Sequence, residues 1–407
     1  MAQEQVLGLD IGTHTIKAVI GEPVGPEKIK LYTGFSKPSR GIRKGVVVDM
    51  EEVAGAVTNV LQDVKSYSKA ALRNVYLGVS GADIRAQVSR GIVAVARANS
   101  EIYKDDMSRA IQASEAVNLP SNRMLLHTVT REFVVDGIGD IRDPLGMVGA
   151  RLEVVSVVID AFQPAVKNLM KCVELSGGSV SGIIFTPLAS AMAVLTRNQK
   201  ELGVVLLDIG YGTTGMAVYE ENKLLYAKTF PVGAGHITND LAIALKIPVE
   251  VAEKLKLSYG YALSKEVSSK DTIDLSKIDS GIKGMPTRKF ISEVIEARLV
   301  EICDLVNTEL RLIGKAGKLP SGVVVVGGGA KLPGMAELLR SELKLTSQVG
   351  LPNSSVFEAT SPGTSELVES PEATAALGLL SWSGEMNPRV PSLKGDMVTK
   401  FFKNLLP

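Results

Sequence analysis

A chain of 407 residues with 45% hydrophobic side chains can bury a large core and is expected to form at least two domains. Its 45 lysines and arginines offset 44 aspartates and glutamates, leaving no global basic field of the kind that marks a general nucleic-acid binder. Cys172 and Cys303 are the only cysteines and form no CxxC pair, so neither a disulfide framework nor a zinc site is supported. Glu4 and Asp10 interrupt the apolar run a signal peptide needs, and no segment approaches the 18 apolar residues of a spanning helix; a soluble cytoplasmic body is expected.

From the N-terminus, Val6 to Ile20, VLGLDIGTHTIKAVI, reads as an apolar strand closed by Asp10, a glycine-containing turn with hydroxyl side chains, and a second strand. Lys28 to Phe35 and Gly45 to Val48 read as further short strands, and Asp49 opens a helix carrying Val53, Val57, Val60, Leu61 and Val64 at helical spacing. Asn74 to Ser80 is another strand. Gly81 to Asp160 then has the pattern of a self-contained α+β insertion. Helix, strand and helix follow at Pro164 to Leu175, Val180 to Phe185 and Pro187 to Leu195, and Thr196 to Gly203 reads as a polar connection.

Val204 to Tyr219, VVLLDIGYGTTGMAVY, repeats the opening plan. Asp10 aligns with Asp208, Gly12 with Gly210 and Thr15 with Thr213, 198 residues apart, which predicts two similar halves. Backbone N–H groups in such turns form anion-binding nests that glycine lets a ligand approach closely. An aspartate beside a phosphate makes sense as a holder of Mg²⁺ through waters. Neither copy is a GxxxxGK[ST] loop and neither leads into a helix, so a phosphate-gripping β-hairpin is expected.

Beyond it, Gly233, Gly235 and His236 precede a helix over Ile237 to Leu245, Lys265 to Lys283 reads as a solvated excursion, and Phe290 to Ile313 as a helix with Ile291, Ile295, Leu299, Ile302 and Leu305 inward. Val323 to Val326 is a buried parallel strand running into Gly327, Gly328 and Gly329 and then a helix, taken alone either a tight strand-to-helix turn or a corner where backbone can pack against a flat base or ribose. Pro371 to Trp382 is an Ala-rich helix. From Gly384 a Pro/Gly linker leads to DMVTKFFKNLLP, in which Val398, Phe401, Phe402 and Leu405 share one helical face, Leu406 lies at its edge, and Lys400 and Lys403 flank it. That pattern suits a bilayer surface.

Taken in order, hairpin, connecting helix, hairpin, glycine corner and closing helix resemble the actin, sugar-kinase and heat-shock-chaperone ATPase superfamily. Within it, LDIGTHTIKAVIGE, RDPLGMVGARLEV, TPLASAMAVLT and KELGVVLLDIGYGTTGMAVY resemble the FtsA family of bacterial cell-division proteins. The resemblance implies an α/β, actin-like (ribonuclease H-like) duplicated fold, two halves around a nucleotide cleft, with inserted α+β lobes. Lobe 1A would take residues 1–80 and 161–196, an SHS2-like lobe 1C residues 81–160, lobe 2A residues 197–230 and 290–383, and lobe 2B residues 231–289. A linker (384–394) and a membrane-targeting helix (395–407) would complete the chain.

By position, the resemblance implies that Gly12, Thr13, His14 and Lys17 meet the phosphates of ATP from one side and Gly210, Gly212, Thr213 and Thr214 from the other. Asp10 and Asp208 would organise Mg²⁺, while Gly235, His236, Asn239, Glu296, Gly328, Gly329 and Lys331 surround adenosine. It also implies polymerisation on the inner face of the cell membrane at the division site, tethering of FtsZ by its C-terminal peptide through lobe 2B, and contacts to other division proteins through lobe 1C. Tyr211 and Gly215 stand where relatives carry a glycine and an aspartate, and Thr186 where an acidic residue is common, so hydrolysis is expected to be weak or absent and no catalytic residue is assigned. The rival readings are a type IV pilus assembly adaptor resembling PilM and a small-molecule kinase, for which no acceptor cleft with a base is visible.

Overall fold

The computed structural model describes residues 5–25 and 28–383. The candidate membrane helix, with Val398, Lys400, Phe401, Phe402, Lys403, Leu405 and Leu406, lies outside the described residues. Among the described residues no helix is long and apolar enough to cross a membrane.

The first half opens with the meander β1 (Val6–Ile11), β2 (Thr15–Gly25) and β3 (Lys28–Pro38), followed by the short pair β4 (Ile42–Arg43) and β5 (Val46–Val47). Helix α1 (Met50–Tyr67) starts where expected, because the Asp49 carboxylate accepts from the amides of Glu51 and Glu52, both at 3.0 Å. Such a cap stabilises by about 1 kcal/mol, and the stripe Val53, Val57, Val60, Leu61 and Val64 is buried. Strand β6 (Val75–Val79) runs parallel to β1 and brings Gly78 beside Asp10.

The insertion follows as β7 (Arg85–Ala94), α2 (Lys104–Glu115), β8 (Arg123–Val135), β9 (Ile138–Ile141) and β10 (Arg151–Phe162), an antiparallel sheet ordered β7-β10-β8-β9. It has its own small core around Ile102, Phe133, Leu152 and Val154. The chain returns through α3 (Gln163–Leu175), β11 (Val180–Phe185), parallel to β6, and α4 (Thr186–Val194).

Thr196 to Gly203 is not a plain connection but contains α5 (Arg197–Leu202). Thr196 Oγ1 accepts from the Gln199 amide at 3.2 Å while Gln199 Oε1 accepts from the Thr196 amide at 2.9 Å, a capping box whose T-x-x-Q signature stands in the sequence.

The second half repeats the first. Strands β12 (Val204–Ile209), β13 (Thr214–Glu220) and β14 (Lys223–Phe230) form a meander, helices α6 (Ala234–Leu245), α7 (Val249–Tyr259) and α8 (Arg288–Leu312) follow, and β15 (Val323–Val326) lies parallel to β12. After α9 (Met335–Leu343), β16 (Ser347–Val349) completes the order β14-β13-β12-β15-β16. That mirrors β3-β2-β1-β6-β11 strand for strand. Register repeats as well: Asp10 pairs with Lys17 and Ile11 with Ile16, as Asp208 pairs with Gly215 and Ile209 with Thr214.

Three expectations in this half need correction. Leu305 is 38% exposed, and Cys303 and Val306 take the inward places, because a 25-residue helix at 3.6 residues per turn carries its buried line onward through Ile302, Val306 and Leu310. The stretch Lys265 to Lys283 buries Val267, Ile273 and Leu275. The strand of valines runs into a short turn at Gly328–Lys331 before α9 begins at Met335.

The chain then crosses back: β17 (Phe357–Ala359) adds to the edge of β3, and α10 (Pro362–Val368) and α11 (Thr374–Ser381) pack on the first half. Helix α11 lies backbone-close on its neighbours, since a Cβ at Gly378 would sit 1.9 Å from the Ala189 carbonyl oxygen of α4 and one at Gly8 would sit 2.2 Å from the Ala376 oxygen. At its end the Trp382 ring rests 5.0 Å from the His127 ring of β8, and Tyr76 Oη donates to the Ser383 carbonyl at 3.4 Å. His127 Nε2 accepts from the Phe185 amide at 3.0 Å, and burial pulls its pKa down to about 4.

Candidate functional site

The two hairpin turns face one another across a cavity of about 610 Å³, within the size range of small-molecule sites. Asp10, Gly12, Thr13, His14 and Lys17 line it from the first half; Asp208, Gly210, Gly212 and Thr213 line it from the second, with Gly328, Gly329 and Lys331 at the glycine corner. Gly12 N donates to Thr15 O at 3.0 Å and Gly210 N to Thr213 O at 2.9 Å, the same closing bond in both copies. These two glycines therefore shape their turns and do not present an N–H to the cavity.

The donors are next to them. The amides of Thr13, His14, Tyr211, Gly212 and Thr213 have no acceptor among the described residues, nor do the Thr13 and Thr213 hydroxyls. Gly212 and Thr213 are buried, where donors without partners are costly unless a ligand or water meets them, and clustered amides of this kind suit an anion. Thr214 does not join them: it is fully buried and its Oγ1 donates to the Val232 carbonyl at 2.8 Å.

Between the turns stand two carboxylates. Burial raises the pKa of Asp10, partly offset by the Lys17 ammonium opposite it, and Lys17 Nζ donates to Thr15 Oγ1 at 3.0 Å. Burial pushes Asp208 up to about 6, with the Asp10 charge adding to it and the Ser190 hydroxyl, 2.9 Å from Oδ2, opposing it. Two desolvated carboxylates short of positive charge are a donor pair that a hard divalent cation satisfies. No group of three or more His, Cys, Asp or Glu that could hold an ion occurs among the described residues, so a cation here would take most of its ligands from water or from its anion.

At the glycine corner, Gly327 has φ of 83° and a Cβ there would lie 2.5 Å from Asp208 Oδ1, so only glycine fits. Gly328 is open, with nothing nearer to its Cβ position than Glu372 at 4.0 Å, and Lys331 Nζ meets Glu372 Oε1 at 3.2 Å. The other four candidates for this end do not line the cavity. Gly235 lies flush under the Tyr211 ring, His236 Nδ1 accepts from the Gly233 amide at 3.2 Å, Asn239 is exposed, and Glu296 Oε2 accepts from the Ser264 amide at 2.8 Å.

Helix α7 takes their place with Glu253 and Lys256. Lys256 Nζ donates to the Ala234 carbonyl at 3.1 Å, Thr238 Oγ1 at 2.8 Å and Glu253 Oε2 at 2.8 Å, and burial lowers its pKa against the pull of Glu253. Sequence reasoning missed both, along with Ser190, because each sits within an amphipathic or apolar helix that packing alone accounts for. An E-x-x-K pair places its two ends on one helix face, which was the available signal.

The family profile described as cell division protein FtsA matches residues 205–378, and a profile for the SHS2 domain inserted in FtsA matches residues 81–159. The chain is 34% identical to the cell division protein FtsA of Pseudomonas aeruginosa over 93% of its own length and 89% of the relative's. It is 34% identical to that of Bacillus subtilis (86% and 79%) and 30% identical to that of Escherichia coli (93% and 90%). Among solved structures it resembles a PilM-PilN type IV pilus biogenesis complex with a TM-score of 0.66 at 20% identity, covering 93% of this chain and 98% of the other. It also resembles MreB5 of Spiroplasma citri bound to AMPPNP, with a TM-score of 0.51 at 16% identity and 99% of both chains covered. The fold is thus actin-like, duplicated about the cavity.

Proposed function

This chain belongs to the FtsA family of cell division proteins, and from that premise we propose that it binds ATP with Mg²⁺ between its two hairpins, polymerises on the inner face of the cell membrane and tethers FtsZ there. The observation that carries the nucleotide reading is the matched pair of turns: at equivalent positions each offers unpaired amides to one cavity and places a half-buried aspartate beside them. The same fold in MreB5 has been solved with AMPPNP bound.

Asp10 and Asp208 would hold Mg²⁺, largely through its waters, and the ion would supply charge neutralisation of the phosphate oxygens. The amides of Thr13, His14, Tyr211, Gly212 and Thr213, with Lys17, would orient those oxygens. Gly328 gives a flat wall for a base, and Glu253, held in place by Lys256, gives a carboxylate for a ribose. Hydrolysis is slow on this reading: Thr186 lines the cavity where an acidic residue could activate water, and its Oγ1 is already committed to the Val79 carbonyl at 3.3 Å.

Attachment to the membrane is assigned to residues 395–407 on their sequence pattern, FtsZ to the lobe of residues 231–289, and further division proteins to residues 81–160. Isothermal calorimetry tests the central claim. Uptake of ATP is expected with Mg²⁺ and to fall sharply with EDTA, and turnover should stay far below the roughly 10 s⁻¹ typical of enzymes. Absence of any magnesium-dependent heat would remove the nucleotide reading. The pilus-adaptor reading has fold likeness alone behind it.

A further inference from the structure

The two turns also touch each other. The His14 ring of the first half stacks on the Tyr211 ring of the second, centroids 4.7 Å apart and planes 22° apart. Beside them Thr13 packs so tightly on Gly212 that a Cβ there would lie 2.5 Å from Thr13 Oγ1. Shifted by the 198-residue repeat, Thr13 corresponds to Tyr211 and His14 to Gly212. The two contacts are therefore one contact seen twice about the internal pseudo-two-fold, the self-complementary arrangement of a two-fold interface. One copy has become small and the other aromatic.

Tyr211 is braced by its own half. Gly235 lies against its face, where a Cβ would come within 2.4 Å of Cε1, and the Lys256 ammonium sits 5.5 Å from the ring centroid. Lys256 is in turn fixed by Ala234, Thr238 and Glu253. The phenol is thus a rigid arm of the second half, and His14 is where the first half rests upon it. Both residues line the cavity at its phosphate-facing turns.

We propose that the His14–Tyr211 stack is a latch joining the two halves over the turns, one that must part before a nucleotide can leave, so that these two side chains set nucleotide residence time. The latch rests on the nucleotide reading for its ligand but not for its existence. An aromatic pair contributes about 0.5–1.5 kcal/mol, which at about 1.4 kcal/mol per tenfold corresponds to roughly 2- to 12-fold in release rate.

The test is stopped-flow release of a fluorescent ATP analogue from the full chain, its His14→Ala, Tyr211→Ala and Tyr211→Phe variants, and the His14→Ala/Tyr211→Ala double variant. Each alanine variant should release roughly 2- to 12-fold faster, Tyr211→Phe, which keeps the stacked ring but gives up the phenol's bond to Thr238, should lie closer to the parent than Tyr211→Ala does, and the double variant should be no faster than the quicker single one. A second readout needs no ligand: spin labels at Arg40→Cys and Ala244→Cys, both exposed, report the separation of the halves, with Cys172 and Cys303 buried. The nucleotide-free parent should give one narrow distance and the alanine variants a longer or broader one. Unchanged distances, or release rates that are unchanged or additive, overturn the latch. If the parent takes up no nucleotide, the nucleotide reading fails and the distances alone decide the latch.

Discussion

Asp208 shows how one residue reports on the whole site. Without a cation its carboxyl keeps its proton up to about pH 6 in the fold, against 3.8 for the ordinary value. Between those values the native chain binds the extra proton, so stability of the nucleotide-free protein falls as pH rises through this window. The span of roughly 2 units corresponds to about 3 kcal/mol. Asp208→Asn is expected to remove that slope, raise the stability of the nucleotide-free chain at pH 7.5 by up to about that amount, and abolish magnesium-dependent heat. Denaturant titrations of both proteins at pH 4.5 and 7.5 check it; identical pH slopes would contradict the assignment. The repeat made Asp10 and Asp208 legible because equal spacing in two apolar strands has few other causes. Glu253 and Lys256 were not legible, since a helix that buries Val251, Ala252 and Leu255 needs no further reason for its polar residues, and neither was Ser190, a small residue inside the almost wholly buried α4.

Among the elements, α4 and α11 carry the connection between the halves by near-contact of backbones. A methyl group at Gly378 would meet the Ala189 carbonyl at 1.9 Å, a distance no rotamer can relieve. Gly378→Ala gains helix propensity of about 1 kcal/mol yet is expected to lose about 1–3 kcal/mol net by forcing the helices apart, seen as a lowered thermal midpoint; an unchanged or raised midpoint would show that the helices slide freely. Strands and long helices were readable in sequence because their periodicity is enforced by burial on one face. Helix α5 was not, since six residues give no period and only its capping box announces it. Leu305 was placed inward by extending a 3-4 spacing one step too far, where the turn of the helix favours Val306.

For the molecule as a whole, the twofold plan was readable from two motifs, whereas the direct contact between the turns was not, because aligning the copies says nothing about how they face. The membrane attachment proposed above is likewise a whole-molecule property. Burying four apolar side chains of the tail stabilises by roughly 6 kcal/mol, ordering the segment costs about 2–5 kcal/mol, and the remainder gives an affinity near millimolar. Linking many such tails gains about 10² to 10⁴. Sedimentation with anionic liposomes should therefore pellet the full chain steeply with protein concentration and in the presence of ATP, while a chain ended after Trp382 stays in the supernatant. Equal pelleting of the two would dismiss the tether.

The indole of Trp382 against His127, and Tyr76 holding the Ser383 carbonyl, carry a mechanical consequence. Any tension drawn along the chain beyond residue 383 is taken up by β6, β8 and, through the Phe185 amide on His127, β11. Traction from that end is thus met first by the first half and its inserted sheet, ahead of the bonds by which Pro371 and Glu372 tie the start of α11 to Gly327 and Lys331 of the second half.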